Sequence, residues 1–174
     1  MAGYRNSRHA RKGEACTDCH AVHKAGVGQA NLKQAQIELC ASCHPEKKAE
    51  INNPYHHPVK EGKVLCSDCH NPHKNTAAAK KSYSKACVSC HPEKAGPFKY
   101  EHNPVADNCL NCHSPHGSMS QDMLTISKPA LCLQCHGGTL RVLPSHNVLN
   151  NVTNNCTTCH KQVHGSNTSA SLQF

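Results

Sequence analysis

The stretch Cys109 to His136 decides the fold. It opens C-L-N-C-H-S-P-H and, nineteen residues after His113, repeats as C-L-Q-C-H. Each half holds two cysteines separated by two residues, with a histidine directly after the second. That spacing puts two thiols about one helical turn apart and a metal-binding imidazole beside them, which is the attachment pattern of c-type haem. Two thiols add across the porphyrin vinyl groups and the next residue ligates the iron.

The same pattern occurs seven times and uses all 14 cysteines. The seven are Cys16/Cys19/His20, Cys40/Cys43/His44, Cys66/Cys69/His70, Cys87/Cys90/His91, Cys109/Cys112/His113, Cys132/Cys135/His136 and Cys156/Cys159/His160. The competing reading is zinc, since four-cysteine zinc sites also use C-x-x-C pairs. Zinc does not require His after every second Cys. With 16 histidines in 174 residues, seven chance placements come to roughly one in 10⁷. An all-disulfide scaffold fails the same test.

Composition supports a cofactor-built interior. The chain has no Trp, two Phe and four Tyr, and its mean hydropathy is −0.64. So polar a chain needs staples to fold. Seven haems c would serve as the core, and the protein is expected not to fold without them. The expected fold class is a multihaem cytochrome c: mostly irregular coil with short α-helices wrapped around a haem chain, and no substantial β-sheet. Asn31 to Cys40 and Lys80 to Cys90 are the helix candidates. Ten prolines break the rest too often for long helices. Asn147 to Asn155 reads as a loop and Ser166 to Phe174 as a tail.

The formal charge of +8 does not argue for nucleic acid. Fourteen haem propionates would bring the holoprotein to about +1 oxidised and about −6 reduced. No run of about 18 apolar residues marks a membrane span. Met1 to Ala15 is polar and basic, without the apolar centre of a signal peptide. Thioether attachment takes place outside the cytoplasm, so an export signal absent from this sequence is expected. The expected location is periplasmic, outer-membrane-associated or extracellular.

The motifs repeat in pairs. Their alternate first cysteines fall at 16, 66, 109 and 156, periods of 50, 43 and 47. Each unit has a histidine, then C-x-x-C-H-x-x-H, then a plain C-x-x-C-H. The expected organisation is one heptahaem domain over 1–174. It is built from two-haem units at about 1–50, 51–97 and 98–140 and a one-haem unit at 141–174. The shared C-H-P-E-K endings at His44 and His91 argue for duplication independently of the cysteines.

Seven proximal histidines leave His9, His23, His56, His57, His73, His102, His116, His146 and His164. Only Met1, Met119 and Met123 exist as thioether ligands, so bis-histidine ligation fits the inventory. The loop-length expectation is that His9, His57, His102 and His146 cap the haem of the following motif. A histidine three residues after a proximal one cannot reach the far face of its own haem. His23, His73 and His116 would then serve the second, fourth and sixth haems, with His164 spare. Shifting this set by one unit leaves His23 spare instead. His57 is preferred to His56 because it directly precedes Pro58-Val59.

The runs H-H-P-V-K-E-G-K-V-L-C-S-D-C-H-N-P-H (His56 to His73) and C-T-T-C-H-K-Q-V-H-G-S-N (Cys156 to Asn167), with the paired stretch above, resemble the doubled C-x-x-C-H cytochromes. The likeness is to the decahaem periplasmic cytochromes of metal-reducing and DMSO-respiring bacteria, the MtrA/DmsE type, with seven haems here instead of ten. The chain is also similar, more weakly, to the pentahaem donor of periplasmic nitrite reductase. The resemblance implies a haem wire threaded into an outer-membrane β-barrel porin. The expected partners are other redox proteins: cytochromes, quinol-linked donors and such a porin.

Three functions compete. The first is electron transfer along bis-histidine haems in extracellular respiration, with no catalytic residue and no enzyme activity. The second is a self-associating extracellular filament, with a haem ligand crossing between subunits. The third is a multihaem reductase. The third needs an open or lysine-ligated haem, and no C-x-x-C-K motif occurs.

Overall fold

The computed structural model describes residues 2–24, 26, 28, 30–74, 80–137 and 155–173. His146 and most of the expected 147–155 loop lie outside the described residues. Among the described residues the α-helices are short: α1 Ala2–Arg5, α2 Arg8–Arg11, α3 Cys16–Cys19, α4 Gln36–Ala41, α5 Pro45–Glu50, α6 Cys66–Cys69, α7 Lys80–Val88, α8 Asn103–Asp107 and α9 Ala130–His136. The only sheet there is an antiparallel pair, β1 Tyr100–Glu101 with β2 Gly165–Ser166. Among the described residues no helix is long and apolar enough to cross a membrane. Short helices, mostly coil and almost no strand are the architecture expected of a small multihaem cytochrome c.

The prolines explain where helices start as well as where they stop. Pro45 and Pro92 each open a helical segment directly after a motif histidine. Their missing N–H is one the first helical turn leaves unpaired anyway. Of the expected helices, 31–40 shrinks to α4 and 80–90 to α7.

A side-chain core is nearly absent. Among the described residues the buried hydrophobic side chains are Ile51 and Leu124.

Successive units are clasped by a repeated contact. Tyr55 and Ser118 exchange backbone hydrogen bonds at 2.8 and 3.3 Å, and Tyr100 pairs with Ser166 in the small sheet. Each tyrosine lies two residues before His57 or His102, and each serine two residues after His116 or His164. The glycines between make this approach feasible. Gly117 has φ +150°, and a Cβ there would lie 2.3 Å from the Glu50 carbonyl oxygen. Gly165 has φ +144°, and its Cβ would lie 2.2 Å from the Phe98 ring.

The C-terminal stretch is a correction. The expected tail from Ser166 is built into the fold. Ser166 is 1 % exposed, and its Oγ accepts from the backbone N–H of Thr168 and Ser169. Ser171 turns its carbonyl to Nδ1 of His160 at 2.6 Å. A run of small polar residues looks loose in sequence; here its hydroxyls hold a turn that supports a motif histidine.

Candidate haem-binding sites

Each C-x-x-C-H motif sits on a single helical turn. The histidine N–H donates to the carbonyl of the first cysteine at 2.9 Å for His20 and His70 and 3.0 Å for His44, His91, His113 and His160. His136 ends α9 in the same relation to Cys132. Residues around the cysteines cap these turns. Asp18 and Asp68 accept from the N–H of Ala15 and Leu65, three residues back. Asn108 and Asn155 accept from Leu110 and Thr157. All 14 thiols are free of disulfides. Among the described residues no three potential ligands gather around a point as a zinc ion requires.

The thiols form an ordered series. Cys40 and Cys66 hydrogen-bond each other, as do Cys87 and Cys109, and Cys132 and Cys156. That contact raises Cys40 and lowers Cys66 to about 7, because one thiol donates and the other accepts. Cys19 lies near Cys43, Cys69 near Cys90 and Cys112 near Cys135, close enough for each pair to interact electrostatically. The junctions therefore alternate. Within a unit the second cysteine of the first motif interacts with both cysteines of the second motif, and between units first meets first. These contacts run through the seven motifs in sequence order.

Cys159 has an exposed thiol, as do Cys43, Cys69, Cys90 and Cys135 among the second cysteines of the motifs. The backbone still forms the motif turn there: the Cys159 N–H donates to the Cys156 carbonyl at 3.3 Å, closing a 3₁₀ turn over Cys156–Thr158.

The non-motif histidines face the motif histidines in pairs. Ring centroids lie 5.8 Å apart for His20 and His73, 6.3 Å for His44 and His9, and 5.8 Å for His70 and His116. They lie 6.3 Å apart for His91 and His57, 6.1 Å for His113 and His164, and 6.1 Å for His136 and His102. With metal–nitrogen bonds of about 2 Å and about 1.1 Å from nitrogen to ring centre, two imidazoles on opposite faces of one metal have centroids about 6 Å apart. The residues present fit an iron held between each of these six pairs.

The pairing differs from the loop-length expectation. His9, His57 and His102 face the second motif of their own units, not the first. His73, His116 and His164 face the first motif of the preceding unit. His164, expected to be spare, has a partner in His113. His23 is exposed and faces no motif histidine among the described residues. His23 is left over, as in the shifted set, but His73, His116 and His164 face the first, third and fifth motifs and not the second, fourth and sixth. His56 does not face a motif histidine either. It is held by the Asn53 carbonyl at 2.6 Å and by Glu61 at 3.1 Å.

The backbone fixes the tautomers. Nδ1 of His20, His113 and His160 meets the carbonyl of a residue nine to eleven positions on: Ala30, Asp122 and Ser171, at 2.8, 2.9 and 2.6 Å. Nδ1 of His9, His57 and His102 meets the carbonyls of Pro72, Pro115 and Val163 at 3.3, 2.6 and 2.9 Å. A carbonyl only accepts, so Nδ1 carries the proton and Nε2 keeps its lone pair for a metal. His116 differs: its Nδ1 meets the Glu50 carboxylate at 2.9 Å. Burial works to raise the Glu50 carboxyl. The hydrogen bonds from Lys47 and His116 outweigh it and hold the group below its usual range. His70 is depressed by desolvation and then by neighbouring His116, and His164 by burial and then Lys94, which favours the neutral form of each.

Sequence reasoning missed these supporting partners. The repeated H-G-S at 116–118 and 164–166 was the one available signal, since a glycine directly after a ligand candidate marks a close backbone approach.

The doubled CXXCH motif family matches residues 9–49, 56–96 and 102–140. The chain is also 40% identical over 178 residues to the multiheme cytochrome MtrA of Shewanella baltica (strain OS185). That alignment covers 94% of this chain and 53% of the relative. The chain thus spans about half the length of the curated relative it matches.

Proposed function

Since the chain belongs to the doubled CXXCH motif family of multihaem c-type cytochromes, we propose that it relays electrons along seven covalently bound haems held by bis-histidine ligation. The haems, when bound, supply one-electron exchange between ferric and ferrous iron. The chain's own residues attach, order and insulate them. The cysteines of each motif, Cys156 and the exposed Cys159 included, form the thioethers. His20, His44, His70, His91, His113, His136 and His160 are the proximal ligands. His73, His9, His116, His57, His164 and His102 are the distal ligands of the first six haems in order, and His146 is assigned to the seventh.

The observation that carries this reading is the set of six histidine pairs at 5.8–6.3 Å. Histidine on both faces leaves iron no open position, which suits electron transfer and argues against making or breaking substrate bonds. The alternating cysteine contacts support a single unbranched haem order that follows the sequence. The likeness to MtrA supports an exported protein that exchanges electrons with other cytochromes, with an outer-membrane porin as the partner to test first. Polymerisation through a ligand shared between subunits draws less support, because these six pairs are all formed within one chain.

The test is intact-mass analysis and EPR of the oxidised holoprotein, followed by mixing with a reduced donor cytochrome and a soluble ferric chelate. Seven haem masses, low-spin iron throughout and passage of electrons from donor to chelate are expected. Fewer haems, or a high-spin ferric signal, would overturn the ligation.

A further inference from the structure

Among the ligand histidines whose Nδ1 partner is described at hydrogen-bond distance, His116 alone meets a carboxylate. The others, His9, His20, His57, His102, His113 and His160, meet backbone carbonyls. Two further carboxylates approach motif histidines without bonding: Glu46 lies 3.6 Å from His44 and Glu93 lies 3.8 Å from His91. Both are more than half exposed, at 57 % and 58 %, so water screens them.

Glu50 is held differently. One oxygen accepts from His116 at 2.9 Å and the other from Lys47 at 2.7 Å. It ends α5, and its carbonyl oxygen accepts from the Asn53 N–H at 3.0 Å. Gly117 packs so closely on that carbonyl that no side chain fits between. Ile51, one of two buried hydrophobic side chains among the described residues, is the next residue. The carboxylate is thus fixed from its own helix, from the ion pair and from the loop that carries His116.

A carboxylate on the far nitrogen makes an imidazole a stronger electron donor. It also places negative charge beside the iron, which favours the ferric over the ferrous state. We propose that Glu50 is a positioning residue that makes the third haem, between His70 and His116, the lowest-potential step of the chain. This inference rests on the bis-histidine reading above. An electron arriving there leaves a ferrous neighbour ferric and turns ferric iron ferrous, with no bond made or broken. Glu50 sets how uphill that hop is.

The experiment is a potentiometric titration of the full holoprotein, read optically and by EPR, for wild type and for Glu50→Gln, Lys47→Met and Glu46→Gln. Glu50→Gln should raise the lowest potential by at least a tenfold change in the reduction equilibrium, 59 mV for one electron. Lys47→Met removes the cation that offsets the carboxylate and should lower the same step. Glu46→Gln should shift its own step by less than half as much. Opposite signs for Glu50→Gln and Lys47→Met separate a charge effect from general loosening, which would move both variants the same way. A lowest step unmoved in Glu50→Gln, with every haem low-spin, overturns this inference alone. A high-spin haem in the wild type overturns the ligation beneath it, and the inference with it.

Discussion

His57 donates from Nδ1 to the carbonyl of Pro115, 2.6 Å away and 58 residues on in sequence. Pro115 directly precedes His116, which faces His70, while His57 itself faces His91. One hydrogen bond thus ties together the distal ligands proposed for the third and fourth haems. His9 with Pro72 and His102 with Val163 repeat the arrangement.

This clasp makes the two adjacent histidines of unit two separable by mutation. His57→Ala should remove one ligand from the fourth haem and turn one haem in seven high-spin, seen in the EPR of the oxidised protein. His56→Ala should leave every haem low-spin, because His56 is occupied by Asn53 and Glu61.

His73→Ala distinguishes the two registers. Its imidazole faces His20, at the far end of unit one from the motif that follows it. The variant should perturb the first haem and leave the fourth unchanged, read by assigning the altered haem through a His20→Met companion variant.

The ring planes predict two spectral classes. The pairs at the first, third, fifth and sixth haems are near parallel, at 19°, 25°, 11° and 27°. Those at the second and fourth cross at 85° and 51°. Crossed imidazoles bring the iron d orbitals closer in energy. A minority of strongly anisotropic low-spin signals should therefore accompany a rhombic majority in low-temperature EPR.

Gly117→Ala should destabilise the holoprotein by about 1–3 kcal/mol, the range for backbone held in a conformation a side chain resists. The added Cβ would collide with the Glu50 carbonyl. The check is the denaturant midpoint followed by haem absorbance.

Acid should loosen the turn between His56 and Glu61. The hydrogen bond from His56 lowers the Glu61 carboxyl in the folded protein. A group lowered on folding stabilises above its unfolded pKa, and that contribution fades as pH falls through the lowered value. Hydrogen exchange of residues 56–64 should quicken below the ordinary carboxylate range, about pH 4. Glu61→Gln should flatten the response.

Haem attachment was legible in the sequence because C-x-x-C-H encodes a local geometry: one helical turn carries both thiols and the imidazole. Of the two adjacent histidines, His57 faces a motif histidine and His56 meets Asn53 and Glu61. The pairing register was not legible. Loop length says how far His9 can travel, and His20 and His44 are both within reach. What accompanies the His9–His44 pairing is a contact with the next unit, His9 Nδ1 on the carbonyl of Pro72, the counterpart of backbone contacts such as Tyr55 with Ser118 and Tyr100 with Ser166. These join residues more than 60 apart and leave no trace in spacing. Glu50 was hidden for the same reason, standing among ordinary helix-surface charges until the fold brought His116 to it.

The backward reach of these histidines also bears on how such chains change length. His73, His116 and His164 each face a motif histidine in the unit before their own. Under the proposed ligation, a duplicated unit therefore arrives carrying a ligand for its predecessor. Growth by whole units needs no redesign of existing sites, whereas loss of half a unit damages a neighbour. Gene duplication can thus act on these proteins like adding links to a chain, with haem number inherited as a copy count.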